Sequence, residues 1–117
     1  MNSSSTLPAE MQRCIDACVR CHEVCLHAAT TDCLQWGGAH ASPAHITLML
    51  DCALICQLAA DFMLRNSPRH RDLCGLCAEL CDDCSDECAG LGKMDECVEI
   101  CRECAVVCEE MAGEREI

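Results

Sequence analysis

From Pro8 onward the chain repeats one rhythm, an apolar residue at every third or fourth position with charged or polar residues between. That period marks one face of an amphipathic helix, and no two-residue alternation of a strand competes with it. Punctuation cuts the rhythm into four. The first predicted helix covers about 8–36, opened by serine and threonine near an early proline and closed by Gly37-Gly38. The second begins at Ser42-Pro43, an N-cap followed by proline at the first helical position, and continues to about Arg65. Ser67-Pro68 repeats that signal and predicts a third helix over 68–89, ended by the turn from Gly90 to Gly92; a fourth covers 94–112, before Gly113. Short connections between helices of similar length favour antiparallel neighbours. The expected fold is all-α, an antiparallel up-down-up-down four-helix bundle forming a single domain over 1–117.

The apolar positions are filled unusually. The fourth helix reads CVEICRECAVVC, with Cys97, Cys101, Cys104 and Cys108 spaced 4-3-4, and the first repeats that spacing in CIDACVRCHEVC at Cys14, Cys18, Cys21 and Cys25. The third carries CGLCAELCDDCSDEC, with Cys74, Cys77, Cys81, Cys84 and Cys88. At about 100° per residue, each set stays within an arc of roughly 60 to 80°. The second helix has only Cys52 and Cys56, but His45, Met49, Ala59 and Met63 fall on or near the same face. Alternating steps of three and four are the inward seam of a bundle, so the stripes should converge on its axis. Asp16, Arg20, Glu23, Glu99, Glu103 and Glu110 occupy the opposite faces, as solvent-facing positions should.

Composition makes this core stranger still. Among 117 residues there are 16 Cys, one Phe, one Trp and no Tyr, so thiols replace most of the bulk that aromatic rings usually supply. The N-terminus shows no basic segment followed by an apolar run, and nothing is expected to approach the length of a membrane span. The expected compartment is therefore the reducing cytosol, where dense cysteine points to metal rather than disulfides. A formal charge of −12 makes phosphate backbones poor partners and argues against nucleic-acid binding. No nucleophile, base and orienting acid emerge as a set, so no enzyme is expected.

A single buried cysteine can be mere packing. Stripes on three helices are another matter, because Leu, Ile or Ala would fill a core without the risk of oxidation. Disulfide-stapled helical hairpins need about two cysteines per helix, fewer than the four or five that three of these helices carry. Metal remains, and its identity turns on charge. Residues three or four apart on a helix have Cβ atoms about 5 to 6 Å apart, close enough for two thiolates to share one small soft ion. Exchanging each thiol proton for one Cu⁺ leaves the axis near neutral, and soft sulfur ligands select that ion. Four thiolates around Zn²⁺ leave a double negative charge, with no lysine or arginine on the inward stripes to offset it. Structural zinc sites also usually draw their cysteine pairs from turns. A zinc- or cadmium-buffering or metal-sensing thiolate protein is the alternative reading.

The repeated C-x-x-x-C-x-x-C-x-x-x-C stripes of the first and fourth helices, with the matching third, resemble those of the copper storage proteins over nearly the whole chain, from Pro8 to Ala112. These are cysteine-lined four-helix bundles whose cytosolic members hold many cuprous ions. The resemblance implies a homotetramer that keeps Cu(I) in reserve. It assigns metal binding to Cys14, Cys18, Cys21, Cys25, Cys52, Cys56, Cys74, Cys77, Cys81, Cys84, Cys88, Cys97, Cys101, Cys104 and Cys108. Cys33 joins them less directly. It lies about 80° out of phase by straight-helix counting and is expected at the mouth or edge of the core, with Asp32 in the in-phase position.

Up-down topology collects His40, His45, Met49, Cys33, Met94 and Cys97 at one end. The resemblance suggests copper uptake there, and His45 and Met49 fit by spacing, since imidazole and thioether can hold copper without first losing a proton. The opposite end gathers Met11, Met63, His70 and Met111, a methionine plug and the runner-up route. His22 and His27 are expected at the surface. Leu50, Leu54 and Leu58 recur on the back of the second helix, and an apolar back needs covering, so a homo-oligomer burying that helix is expected.

Overall fold

The computed structural model describes residues 7–113. Helix α1, Ala9–Thr30, starts directly after Pro8, whose extended backbone (φ −59°, ψ 145°) cannot continue a helix backwards and whose carbonyl accepts the amide of Gln12. Its end departs from the expectation. Thr30 and Thr31 turn their hydroxyls back on the carbonyls of Leu26 and His27, and Thr31 leaves helical space at φ −126°, ψ −81°. Hydroxyls that bond the preceding turn compete with the ladder and bend it. A separate short helix α2, Asp32–Trp36, follows, then a 3₁₀ turn over Gly38–Ala41. The chain reverses at Gly37 and Gly38, both with φ in the left-handed region (72° and 56°) that glycine adopts without strain.

Helix α3, Pro43–Leu64, opens as expected: the Ser42 hydroxyl accepts the amide of His45, and proline occupies the first turn. It closes in a Schellman arrangement. Asn66, at φ 56°, donates its amide to the Met63 carbonyl, and Ser67 donates to Phe62. That closure moves the next start. Ser67 accepts the Arg69 amide on its hydroxyl and the His70 amide on its carbonyl, making a turn, so α4 is His70–Leu91 and begins two residues after Pro68. Gly92 (φ 81°) and Lys93 (φ 66°) make the last reversal into α5, Asp95–Ala112.

The four long helices α1, α3, α4 and α5 form a ring in which each packs on its sequence neighbour and α1 closes against α5. No strand occurs among the described residues. The alanines beside the thiol stripes, such as Ala17, Ala53, Ala78 and Ala105, are buried. Their small size lets the backbones approach until sulfur meets sulfur across the axis. Outside, α3 differs from its neighbours. This 22-residue helix contains an 18-residue stretch with a mean hydropathy of 1.7, so by length and composition it could span a membrane, contrary to the expectation that no segment would. The excess comes from apolar side chains on both faces: thiols and thioethers inward, Leu50, Leu54, Leu58 and Leu64 outward.

Candidate metal centre

All 16 cysteines are free thiols buried between the four long helices. They form a ladder. At the end where α1 starts, Cys14, Cys74 and Cys108 converge, with Cys14 and Cys108 sulfurs 3.6 Å apart. Above them Cys18, Cys77, Cys104 and Cys108 make a quartet whose Cys18–Cys108 separation is 3.4 Å. The next quartet is Cys21, Cys56, Cys81 and Cys104, and the next Cys21, Cys25, Cys52 and Cys101. Within them Cys56 lies 3.7 Å from Cys81, and Cys25 lies 3.6 Å from Cys101.

These groups share members: Cys108 belongs to two, as do Cys104 and Cys21. Isolated tetrahedral sites would each own four ligands. Shared sulfurs instead suit bridging thiolates along a chain of small soft ions. The charge environment agrees, because the only buried polar residues among those described are His45 and Ser85. No lysine or arginine is buried among the described residues to offset the double negative charge of a dication held by four thiolates, whose burial uncompensated is costly.

Sulfur donors change character toward the other end. Met49 accepts from the thiols of Cys84 and Cys88 at 3.4 and 3.5 Å. Beyond it the Cys33 sulfur stands 3.5 Å from Nε2 of His45 and 4.0 Å from the Met94 thioether. His45, 2 % exposed, turns its Nδ1 to a carboxylate oxygen of Glu87 at 2.6 Å. His40 caps this end, its Nε2 3.0 Å from the Gly92 carbonyl and its ring edge-on to Trp36.

Every candidate ligand is thus inside, Cys33 included. The break at Thr31 resets the helical phase, so Cys33 is buried and Asp32, expected in phase, lies partly exposed on the rim of a surface cleft. Glu87 escaped the sequence reading, and Met94 was placed at this end without a contact assigned. Glu87 sits beside the thiol stripe on α4, and only the register between α3 and α4 brings it to His45. Met11 and Met63 are buried at the opposite end as expected, while His70 is occupied by the Ser67 carbonyl. Of the two surface histidines, His22 is half-buried, with Nδ1 2.8 Å from the Ala53 carbonyl.

Packed thiols govern one another's protons. The neighbouring thiols of Cys25 and Cys88 hold Cys97 down to about 4, and those of Cys101 and Cys25 hold Cys84 down to about 6. The neighbours must keep their protons in return: contact with Cys84 and Cys97 drives Cys88 far upward. Burial, then the charges of Cys97 and Asp32, raises Cys33. Protons are thus shared unevenly among the packed thiols, and a monovalent soft cation that takes the place of one leaves the net charge unchanged.

A sequence profile of the copper storage protein family matches residues 7–113. The Nmul_A1745 protein of Nitrosospira multiformis has a similar structure (TM-score 0.86, 47 % identity, covering 88 % of this chain and 94 % of that one). So has the Cu(I)-bound copper storage protein BsCsp3 of Bacillus subtilis (TM-score 0.82, 35 % identity, 89 % and 99 % covered). The cysteine-rich protein YhjQ of Bacillus subtilis is 38 % identical over 99 residues, 85 % of this chain and 89 % of that protein.

Proposed function

This chain belongs to the copper storage protein family, and from that membership and its sulfur ladder we infer that it stores multiple Cu(I) ions on thiolates inside a four-helix bundle. The single observation that carries this is the sharing of Cys21, Cys104 and Cys108 between adjacent sulfur groups, with no buried lysine or arginine among the described residues. Bridged monovalent ions fit such a ladder and isolated zinc tetrahedra do not, so the zinc-buffering alternative is not favoured.

The storage ligands we propose are the 15 cysteines of the four long helices together with Cys33. His45 and Met49 receive copper at the α2 end and pass it inward, a reading supported by their neutral donors lying next to Cys33, Cys84 and Cys88. We further propose that the protein works in the cytoplasm, where thiols stay reduced. It assembles as a homotetramer through the leucine face of α3.

Anaerobic titration with Cu(I) against a competing chelator, repeated with Zn²⁺, tests the storage reading. The expected capacity is on the order of one copper per thiol, against about one zinc per four. Saturation at one or two coppers per chain would overturn it.

A further inference from the structure

The His45–Glu87 pair lies on the seam between α3 and α4. On the opposite seam, between α1 and α5, a cleft of about 300 Å³ opens at the same end of the bundle. Met94 and Cys97 contribute the sulfur in its lining. Cys97 alone among the 16 thiols has any exposure, 3 % against 0 % for every other. It lies on α5 one helical turn before Cys101, which belongs to the quartet with Cys21, Cys25 and Cys52. Met94 accepts from Cys33, which in turn faces His45, so soft donors run from the cleft across the bundle to the far seam.

The rim is ionic in both senses. Lys93 stands over the Trp36 ring at 5.6 Å, and the carboxylates of Glu23 and Asp32 face the same space. Arg20 and Glu96 bridge it with a 2.9 Å ion pair whose members are more than half exposed, a weak strap in water.

We propose that this cleft is an exchange port for a low-molecular-weight thiol carrying Cu(I), a short peptide thiol with carboxylate and ammonium groups, which trades copper with the store through Cys97. The proposal rests on the storage reading above. Copper leaves one thiolate as another binds, so a carrier's sulfur must come within bonding reach of a ladder sulfur, and Cys97 is the one that lies under an opening. A volume near the lower bound of ligand pockets admits a peptide of a few residues and keeps a folded domain off the floor. Lys93 suits the carrier's carboxylate, and Glu23 and Asp32 its ammonium. In loading, a copper–sulfur bond to the Cys97 thiolate forms as the carrier's breaks, and the departing carrier thiolate takes its proton from water. Copper stays cuprous, no electrons move, and excess free thiol drives the same step in reverse.

Stopped-flow transfer of Cu(I) from its glutathione complex to the apo protein, under argon, reads this route. Filling the cleft with Val24→Phe should slow that transfer about tenfold or more, while leaving final capacity and loading from the Cu(I)–acetonitrile complex unchanged. Lys93→Glu, at the exposed rim, should raise the glutathione-complex concentration needed for half-maximal rate about tenfold without affecting delivery from the uncharged 2-mercaptoethanol complex. Should V24F lose capacity, K93E decides alone. Wild-type rates with glutathione in both variants would overturn the port, as would slowing confined to a copper-carrying protein. Wild-type capacity is read separately by titration, so failure of the port leaves the storage reading standing.

Discussion

Glu87 grips the buried ring of His45 from outside, 2.6 Å from Nδ1, and thereby aims Nε2 at the sulfur of Cys33, 3.5 Å away. With its Nδ1 proton on the carboxylate side, the imidazole presents a lone pair inward, the tautomer needed to receive a soft cation. Glu87→Ala frees the ring to turn. Stopped-flow uptake from the Cu(I)–acetonitrile complex should fall about tenfold, with the final stoichiometry unchanged. Uptake at the wild-type rate would remove His45 from the route.

Ligand sharing predicts that position in the ladder decides how much copper one thiol is worth. Cys104 belongs to two quartets, whereas Cys14 belongs only to the terminal trio. A serine hydroxyl is a hard, poor ligand for Cu(I). Cys104→Ser should therefore lower the capacity by more than Cys14→Ser does, as counted by chelator competition and native mass spectrometry. Equal losses would mean that the sulfurs bind independently. The buried hydroxyl should also destabilise the apo fold by about 1 to 3 kcal/mol where it lacks a full partner.

How much of this was legible in the chain follows from where each signal is stored. The 4-3-4 spacing carries the inward direction of a whole stripe, because helical phase is a local property, and Cys14 to Cys25 and Cys97 to Cys108 all lie inside. Phase is lost where the helix stops. Counting through Thr31 put Asp32 inward, although two consecutive threonines, each able to bond back to the preceding turn, were a readable warning. Ser67-Pro68 looked like the start at Ser42-Pro43, but Asn66 in left-handed space claimed the Ser67 amide for the preceding helix. The Glu87–His45 contact had no signal of this kind, since the register of one helix against another is set by packing across the bundle.

Protonation of Cys33 gives a stability prediction with a definite sign. Burial and neighbouring negative charge raise its pKa above the ordinary 9.0, so the folded state holds this proton more tightly than the unfolded chain does. The stabilisation is complete below pH 9 and is lost as the pH climbs from there toward the folded value. Thermal melts of the reduced apo protein should thus fall in Tm above about pH 9, and Cys33→Ala should fall less steeply than wild type over that range. Parallel slopes would show that Cys33 ionises freely in the folded protein.

The outer face of α3 makes the last prediction. Leu50, Leu54 and Leu58 are 37 %, 56 % and 38 % exposed, one helical turn apart, and Leu64 extends the row toward the end of the helix. Val19, Leu58 and Leu64 line a groove there with Ala60, while His22, Gln57 and Asp61 supply its polar groups. Covering a leucine completely is worth about 1.5 to 3 kcal/mol, so a row of them shared between copies provides a strong drive to associate. Leu54→Glu places a charge at the most exposed of the three central positions, where it costs the single chain little and opposes burial in an interface. Sedimentation at micromolar concentration should find wild type as an oligomer and L54E shifted toward monomer, with the bundle's helical circular dichroism preserved. A wild-type monomer, or an L54E oligomer of unchanged size, would leave this face without the role assigned to it.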